Sequence, residues 1–197
     1  MIQDTTFVVV DTETTGATAA NDRVIEIGAT KVINGEIVDT FHALINPERF
    51  IPHNVIQIHG ITDDMVKDSP IFKDVVDGYL NFLGENSVFT AHNVEFDRAF
   101  IDHELMRIGL DKMSHQSLCT IKLARRVFPD FRKYNLGALS QTLGITLSNA
   151  HRALEDSMAT AKVLIQIFQE LEKQDKRTMK DINLKSIPQP ASTLSLF

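Results

Sequence analysis

Two carboxylates, Asp11 and Glu13, directly follow residues 7–10, an apolar run that is typical of a buried strand. Alternate residues of a strand point to the same face, so both side chains are expected to project in one direction. Two neighbouring like charges need a positive charge when they are buried, and Mg²⁺ prefers carboxylate oxygens. The pair therefore indicates a divalent-metal site, although a solvated strand end would give the same pattern.

Two further segments place ionisable side chains close to a helix start. Asp97 lies in the first turn of a helix that Asn93 can cap, where a carboxylate that favours the helix dipole is also common. His151 and Asp156 can share a site only if the histidine precedes a helix, because positions five residues apart on one helix differ in direction by about 140°. Histidine suits proton transfer near neutral pH, but a histidine at a helix start is also often a capping or surface residue.

The elements that must position these groups follow from the hydrophobic pattern. Strands are expected over residues 24–33 and 36–45, joined by the hairpin signal Asn34-Gly35, so that three antiparallel strands form a meander. Helices are predicted from Ser69-Pro70 to Leu83, from Asn93 to Gly109, and at 121–127, 136–143 and 154–171. Short strands are predicted at 88–91 and near Leu118. This order predicts an α/β fold, a mixed sheet with helices on both faces.

The composition is ordinary for one soluble globular domain, with 43% hydrophobic and 23% charged residues among 197. A net charge of −6 does not favour nucleic-acid binding, but cations bound to four carboxylates would leave the remaining surface close to neutral. Cys119 is the single cysteine, so no intramolecular disulfide is expected. We expect a cytoplasmic protein without a membrane span, because no signal segment and no apolar run of about 20 residues is found.

Four segments of the chain, the three above and one more, together resemble the DEDDh exonucleases, the superfamily of the epsilon proofreading subunit of bacterial DNA polymerase III. The resemblance covers residues 5–172. It is carried by Val9-Val10-Asp11-Thr12-Glu13-Thr14-Thr15-Gly16, Ile58-His59-Gly60-Ile61-Thr62, Ala91-His92-Asn93 with Phe96-Asp97, and Ala150-His151 with Asp156. It implies a ribonuclease-H-like fold and a metal-dependent 3′→5′ exonuclease that releases 5′-mononucleotides from DNA, in proofreading or repair.

The resemblance also implies a role for each catalytic residue. Two Mg²⁺ or Mn²⁺ ions would be held by Asp11, Glu13, Asp97 and Asp156, and His151 would be the general base. The substrate-binding residues would be Thr14, Thr15, Gly16, His59, Ile61, His92 and Asn93. Other roles stay open for some of these, because Gly16 also suits a plain turn, Thr62 can cap a following helix and Asn93 can cap its own.

Three partners are predicted. The substrate is expected to be a single-stranded or frayed 3′ end of DNA, and RNA is the alternative within the same family. A basic cluster, Lys122, Arg125, Arg126, Arg132 and Lys133, could contact phosphates or form a solvated helix face. DNA polymerase III is a second expected partner, and a non-catalytic module that binds polymerase or clamp is the alternative from a different class.

The C-terminal residues suggest the third partner. Residues 1–174 are predicted to form the exonuclease domain, and 175–197 a flexible linker with an interaction peptide, because two prolines stand among small polar residues. Thr193-Leu194-Ser195-Leu196-Phe197 is similar to the sliding-clamp motif of bacterial replication proteins, with Thr193 where glutamine is usual. A tail that folds back on its own domain is the alternative.

Overall fold

The computed structural model describes residues 1–147 and 151–185, which contain one five-stranded sheet and the helices around it. The strands are β1 (Thr6–Thr14), β2 (Val24–Ile33), β3 (Glu36–Leu44), β4 (Ser87–Ala91) and β5 (Ser117–Cys119). The helices are α1 (His53–His59), α2 (Asp63–Val66), α3 (Phe72–Leu83), α4 (Val94–Arg107), α5 (Thr120–Val127), α6 (Leu136–Thr142) and α7 (Ala153–Lys173), and a 3₁₀ helix spans Met179–Ile182.

The strand order is β3-β2-β1-β4-β5. β1, β2 and β3 are antiparallel neighbours, whereas β1 pairs with β4, and β4 with β5, in parallel. Asn34 and Gly35 have φ values of 52° and 73°, the left-handed backbone that a tight hairpin turn requires. The predicted antiparallel meander followed by parallel strands is therefore confirmed.

Helices cover both faces of the sheet, as predicted. Phe7 and Val9 of β1 point to the face where α5, α6 and α7 pack. Val8 and Val10 point to the opposite face and pack with residues of α3 and α4. Because a strand alternates its faces, Asp11 and Glu13 continue the Phe7–Val9 row and lie on the α7 side.

Some element boundaries differ from the prediction. β1 extends to Thr14, since its pairing with β2 continues past the apolar run, so both Asp11 and Glu13 lie inside the strand. α3 begins at Phe72 and not at Ser69-Pro70. The Pro70 carbonyl instead accepts a hydrogen bond from the Asn46 N–H, which keeps this segment extended.

The segment after α7 packs against the domain as far as residue 185, although the sequence analysis assigned it to a linker. Met179 and Ile182 are buried in the α7-side core. Thr178 and Asp181 form a capping box, which gives the 3₁₀ helix its own start. Residues 148–150, and residues 186–197 with the predicted clamp-binding peptide, lie outside the described part of the chain.

Among the described residues, no helix has the length and apolar character that a membrane crossing requires.

Candidate active site

The start of α7 lies directly against β2, beside the acidic end of β1. In the β1–β2 ladder, Asp11 pairs with Gly28 and Glu13 with Glu26. A Cβ atom on Gly28 would lie only 2.1 Å from the carbonyl carbon of Ala153, so only glycine permits this approach. The close contact brings the segment from His151 to Asp156 next to the two acids of β1.

Glu13, His151 and Asp156 form the centre of this site. One ligand atom from each residue lies within 4.8 Å of the others. The His151 backbone N–H donates to Asp156 Oδ2 at 3.0 Å, which orients that carboxylate. Asp156 Oδ1 is buried and has no hydrogen-bond partner in the described part of the chain. His151 itself is exposed, and its φ of +66° places it in the left-handed region.

Asp97 joins the site from the other side of the sheet, on the first turn of α4. Its Oδ1 accepts hydrogen bonds from the Thr12 backbone N–H at 3.0 Å and from the Thr12 hydroxyl at 2.9 Å. Since Thr12 stands between Asp11 and Glu13, these bonds fix Asp97 on β1 next to the acidic pair.

The carboxylates disfavour one another's negative charge. Burial, followed by repulsion from Asp97 and Glu13, raises the pKa of Asp11 well above its ordinary value. Burial and repulsion from Asp156 raise the pKa of Glu13 to about 8. Burial raises the pKa of Asp97 to about 7 against the opposing Thr12 hydrogen bonds, and burial also raises the pKa of Asp156. Among the described residues, the positive charge near these acids does not cancel the rise in their pKa values.

The residues present fit divalent cations. The neighbouring Arg152 guanidinium is bound to Glu26, and its attraction lowers the pKa of Glu13 without offsetting burial and repulsion. Asp156 Oδ1 is a buried acceptor without a hydrogen-bond partner among the described residues, as a metal ligand would be before metal binds. Carboxylate oxygens with one imidazole nitrogen suit Mg²⁺ or Mn²⁺. The structure thus brings all five predicted catalytic residues to one place, with a donor set that suits a metal.

The predicted nucleotide-binding turn is held by its own side chains. The Thr14 hydroxyl donates to the Gly16 carbonyl at 2.6 Å, and the Thr15 hydroxyl accepts from the Arg23 N–H at 3.0 Å. Both threonines are buried, so their hydroxyls stabilise the turn and do not face outwards. A Cβ on Gly16 would lie 2.4 Å from the Asp22 carboxylate, so a larger residue here would displace that side chain. Contact of this backbone with a nucleotide stays a prediction.

The end of α1 contributes one residue near the site, and the loop after it contributes one to the core. Ile61 is fully buried in a small core with Ile25, Ile51 and Val66, and a role of this residue in substrate binding stays a prediction. His59 is also buried, and its Nδ1 accepts from the Ile61 N–H at 3.0 Å. Burial lowers the pKa of His59, and its Nε2 is unpartnered among the described residues.

His92 and Asn93 have different environments. The ring nitrogens of His92 lie 2.8 Å from the Thr120 hydroxyl and 2.9 Å from the Tyr134 carbonyl oxygen, so both are occupied. Burial lowers the pKa of His92 to about 4, and a neutral ring therefore joins β4 to α5 and the loop before α6. Asn93 is exposed at the N-cap of α4 with φ +80°, and its side chain makes no capping bond. Its amide remains a candidate for substrate contact.

Several side chains of the predicted basic cluster are engaged in contacts with other parts of the domain. Lys122 pairs with Glu95, and Arg126 donates to the Asp181 carbonyl oxygen. Arg125 lies over the Tyr134 ring, 5.5 Å from its centroid. The cluster is therefore less free to bind phosphates than its sequence suggests.

The sequence analysis missed Glu26 and Arg152. Glu26 is completely buried, and hydrogen bonds from Arg152, Ala153 and His42 outweigh the effect of burial and lower its pKa. A signal was present, because Glu26, Gly28 and Thr30 alternate with apolar residues and so mark one polar face of a buried strand.

Comparison with known proteins agrees with this geometry. The family model described as exonuclease (RNase T) matches residues 8–164. The chain is 40% identical over 183 residues to the PolC-type DNA polymerase III of Clostridium perfringens, covering 92% of this chain and 12% of that protein. The protein of that name in Oceanobacillus iheyensis is 39% identical over 170 residues, covering 86% and again 12%. The chain thus spans about an eighth of these relatives.

Solved structures show the same fold. Exonuclease X in complex with 5′-overhanging duplex DNA is 33% identical, with a TM-score of 0.72 over 89% of this chain and 96% of that one. E. coli exonuclease I in complex with a dA16 oligonucleotide has a TM-score of 0.75 at 18% identity, over 86% of this chain and 42% of that one.

Proposed function

Because this chain belongs to the exonuclease family, we propose that it is a metal-dependent 3′→5′ exonuclease that hydrolyses DNA and releases 5′-mononucleotides. One observation carries the proposal. Glu13, His151 and Asp156 converge within 4.8 Å beside Asp11 and Asp97, although the five residues come from three separate parts of the chain. A module that only binds polymerase or clamp would not need such a costly group of buried acids.

Two divalent ions, Mg²⁺ or Mn²⁺, would be held by Asp11, Glu13, Asp97 and Asp156. When bound, the ions would supply a water of lowered pKa and stabilise the charge on the leaving 3′ oxygen. The protein prepares the ligands before binding: Thr12 fixes Asp97, and the His151 N–H fixes Asp156. Four carboxylates against two dications would carry no net charge, so an anionic phosphodiester can approach.

His151 is the proposed general base that takes the proton of the attacking water. It is exposed at the start of α7, and it lies close to Glu13 and Asp156. A general base must lie within reach of the proton that it removes. The attacking water would lie beside the four acids, next to His151. Asn93 and the backbone of the Thr14–Gly16 turn would contact the terminal nucleotide.

We propose DNA as the substrate because exonuclease X, at 33% identity, was solved with DNA and the curated relatives are named DNA polymerases. Proofreading or repair is the corresponding role, with DNA polymerase III as a candidate partner. Of the basic cluster, Arg132 and Lys133 would contact phosphates of the strand, which would make binding weaker at higher salt. The residues 193–197 would bind a sliding clamp through a tether.

The test uses a 5′-labelled DNA primer with a 3′ mismatch, incubated with the protein and Mn²⁺ or Mg²⁺. A ladder that shortens from the 3′ end, and disappears with EDTA, is expected. Asp11→Asn and His151→Ala should each lower the rate at least about 100-fold, while Glu36→Gln on β3 serves as a control. An RNA oligomer of the same sequence is expected to be shortened more slowly. If neither polymer is shortened, the proposal that this protein is an exonuclease is wrong.

The clamp proposal has its own test. A Leu194→Ala/Phe197→Ala variant should lose retention on an immobilised bacterial sliding clamp and keep full activity on short primers. Equal retention of the variant and the unchanged protein would argue against the tail as the binding element.

A further inference from the structure

Glu26 is a fully buried carboxylate on β2, and both of its oxygens are occupied. Oε1 accepts from Arg152 Nη2 at 2.7 Å and lies 2.7 Å from His42 Nε2. Oε2 accepts from the Ala153 N–H at 3.0 Å, and Arg152 Nε lies 3.2 Å from each oxygen. The strand thus holds the two residues that directly follow His151.

These contacts distinguish Glu26 from the four acids of the proposed metal site. Glu26 pairs with Glu13 in the β1–β2 ladder, so it lies beside the proposed metal site on the neighbouring strand. A carboxylate has about four lone-pair positions, and a guanidinium, a backbone N–H and an imidazole already fill them. Glu26 therefore has no free oxygen for a metal ion.

His151 needs such support because of its backbone. A non-glycine residue at φ +66° is in a sparsely populated conformation, which persists only where its surroundings hold it. Its N–H is bound to Asp156, and its exposed side chain is not enclosed by neighbours. The direction of the imidazole therefore depends on how firmly the backbone is fixed on both sides of His151.

We propose that Glu26 and Arg152 are a positioning pair: they fix the backbone after His151 and so set the orientation of the general base, without binding metal or substrate. The inference depends on the proposed function, because it takes His151 as that base. Arg152 suits the task because its planar fork makes a bidentate contact that a lysine would not reproduce. His42 completes the network from β3.

Three variants test this proposal. Glu26→Gln keeps the shape but removes the charge, and Arg152→Lys keeps the charge but removes the fork. Thr30→Val is the matched control, since Thr30 lies on the same face of β2 and its hydroxyl is 2.8 Å from Ser157 Oγ of α7. In Thr30→Val the Ser157 hydroxyl keeps its bond to the Leu154 carbonyl, so the start of α7 retains this contact. The control therefore removes a β2–α7 contact but leaves residues 151–153 undisturbed.

The kinetic readout is single-turnover cleavage of 5′-labelled single-stranded DNA with Mn²⁺. Glu26→Gln and Arg152→Lys should each lower the rate about 10–100-fold, as loss of a partner that orients a functional group does. KM should change by less than about threefold, because neither residue contacts substrate. The double variant should be no slower than the slower single one, since both changes remove the same interaction. Thr30→Val should keep its rate even if its Tm falls by about 2–4 °C.

Two readouts do not depend on activity. The amides of His151 and Ala153 should exchange hydrogen faster in Glu26→Gln and Arg152→Lys than in the unchanged protein, and no faster in Thr30→Val. Calorimetric titration with Mn²⁺ should give the same stoichiometry for Glu26→Gln as for the unchanged protein.

Each contrary result has a separate meaning. If the unchanged protein shortens no 3′ end, the proposed function is wrong. Hydrogen exchange would still decide whether Glu26 and Arg152 fix the backbone at His151. Activity of Glu26→Gln equal to that of Thr30→Val would overturn the positioning role. A reduced Mn²⁺ stoichiometry would overturn it too, because Glu26 would then be a metal ligand.

Discussion

At the scale of single residues, the site is a group of acids whose environment opposes their ionisation. Burial and repulsion from other acids hold the pKa of Glu13 at about 8, and burial holds that of Asp97 at about 7. In the unfolded chain both groups would ionise near their ordinary values, so without metal the folded state retains protons that the unfolded state releases. Charge in this site is therefore unfavourable to folding until cations bind.

This linkage gives a pH dependence with a definite sign. Between about pH 5.5 and 8.5 the folded, metal-free protein binds more protons than the unfolded chain, so its stability should fall as the pH rises. The Tm in EDTA is expected to drop by about 5 °C or more over this range, and Mn²⁺ should restore it most at the high end. Asp11→Asn should weaken both effects. A metal-free Tm that rose with pH would contradict the electrostatic account.

A second residue-scale prediction concerns Asp156 and its neighbour. Asp156→Asn should reduce activity at least about 100-fold and weaken Mn²⁺ binding, because the unpartnered Oδ1 is lost as a charged ligand. Glu155→Gln, one position earlier on α7, should keep both within about threefold, because Glu155 is not part of the acidic centre. Comparable losses in the two variants would mean that net charge, and not the Asp156 ligand, matters.

The residues of the acidic centre were predictable from sequence, whereas their supports were not. Asp11 and Glu13 stand out because charge follows an apolar strand, and this depends on local pattern alone. Glu26 lies in an equally apolar strand, but its role depends on the β1–β2 register and on Arg152, which is 126 residues away. The inward direction of Ile61 likewise depends on the small core into which it packs.

At the scale of elements, the contact between β2 and the start of α7 positions half of the site. Gly28→Ala would place a methyl group 2.1 Å from Ala153, so α7 would have to move away from β2. We expect a loss of about 1–3 kcal/mol in the free energy of unfolding and at least about tenfold lower activity. Chemical denaturation and the primer assay measure the two effects.

Gly78→Ala is the control for this prediction. Gly78 lies in α3, and its added Cβ would meet only Phe41, at an ordinary 3.7 Å. Alanine has the higher helix propensity, so this variant should be neutral or more stable by up to about 1 kcal/mol. A Gly28→Ala variant that was equally stable and active would show that the close approach is not needed.

Most element types were predicted because the apolar periodicity is strong, and the errors fall where tertiary contacts decide. α3 starts three residues after Ser69 because the Pro70 carbonyl bonds to Asn46 across the loop. β1 continues past its apolar run because β2 supplies a partner for every residue as far as Glu13. Neither contact is visible in the local sequence.

At the scale of the whole molecule, the described chain extends its core beyond α7. A protein ending at residue 174 would lose Met179 and Ile182, two buried apolar side chains. Its free energy of unfolding should fall by about 3–5 kcal/mol, whereas a protein ending at residue 185 should have an unchanged Tm and rate on short primers. Denaturation and primer assays on the two truncated proteins test this. Equal stability of both would show that the 3₁₀ helix adds nothing.

The packing of this last segment also ties it to the residues that precede β1. The Ile2 N–H donates to the Arg177 carbonyl at 2.9 Å, so the residues before β1 lie against the residues that follow α7. Terminal segments fray and are cut by proteases most readily where nothing holds them. Each of these two segments is thus protected by the other.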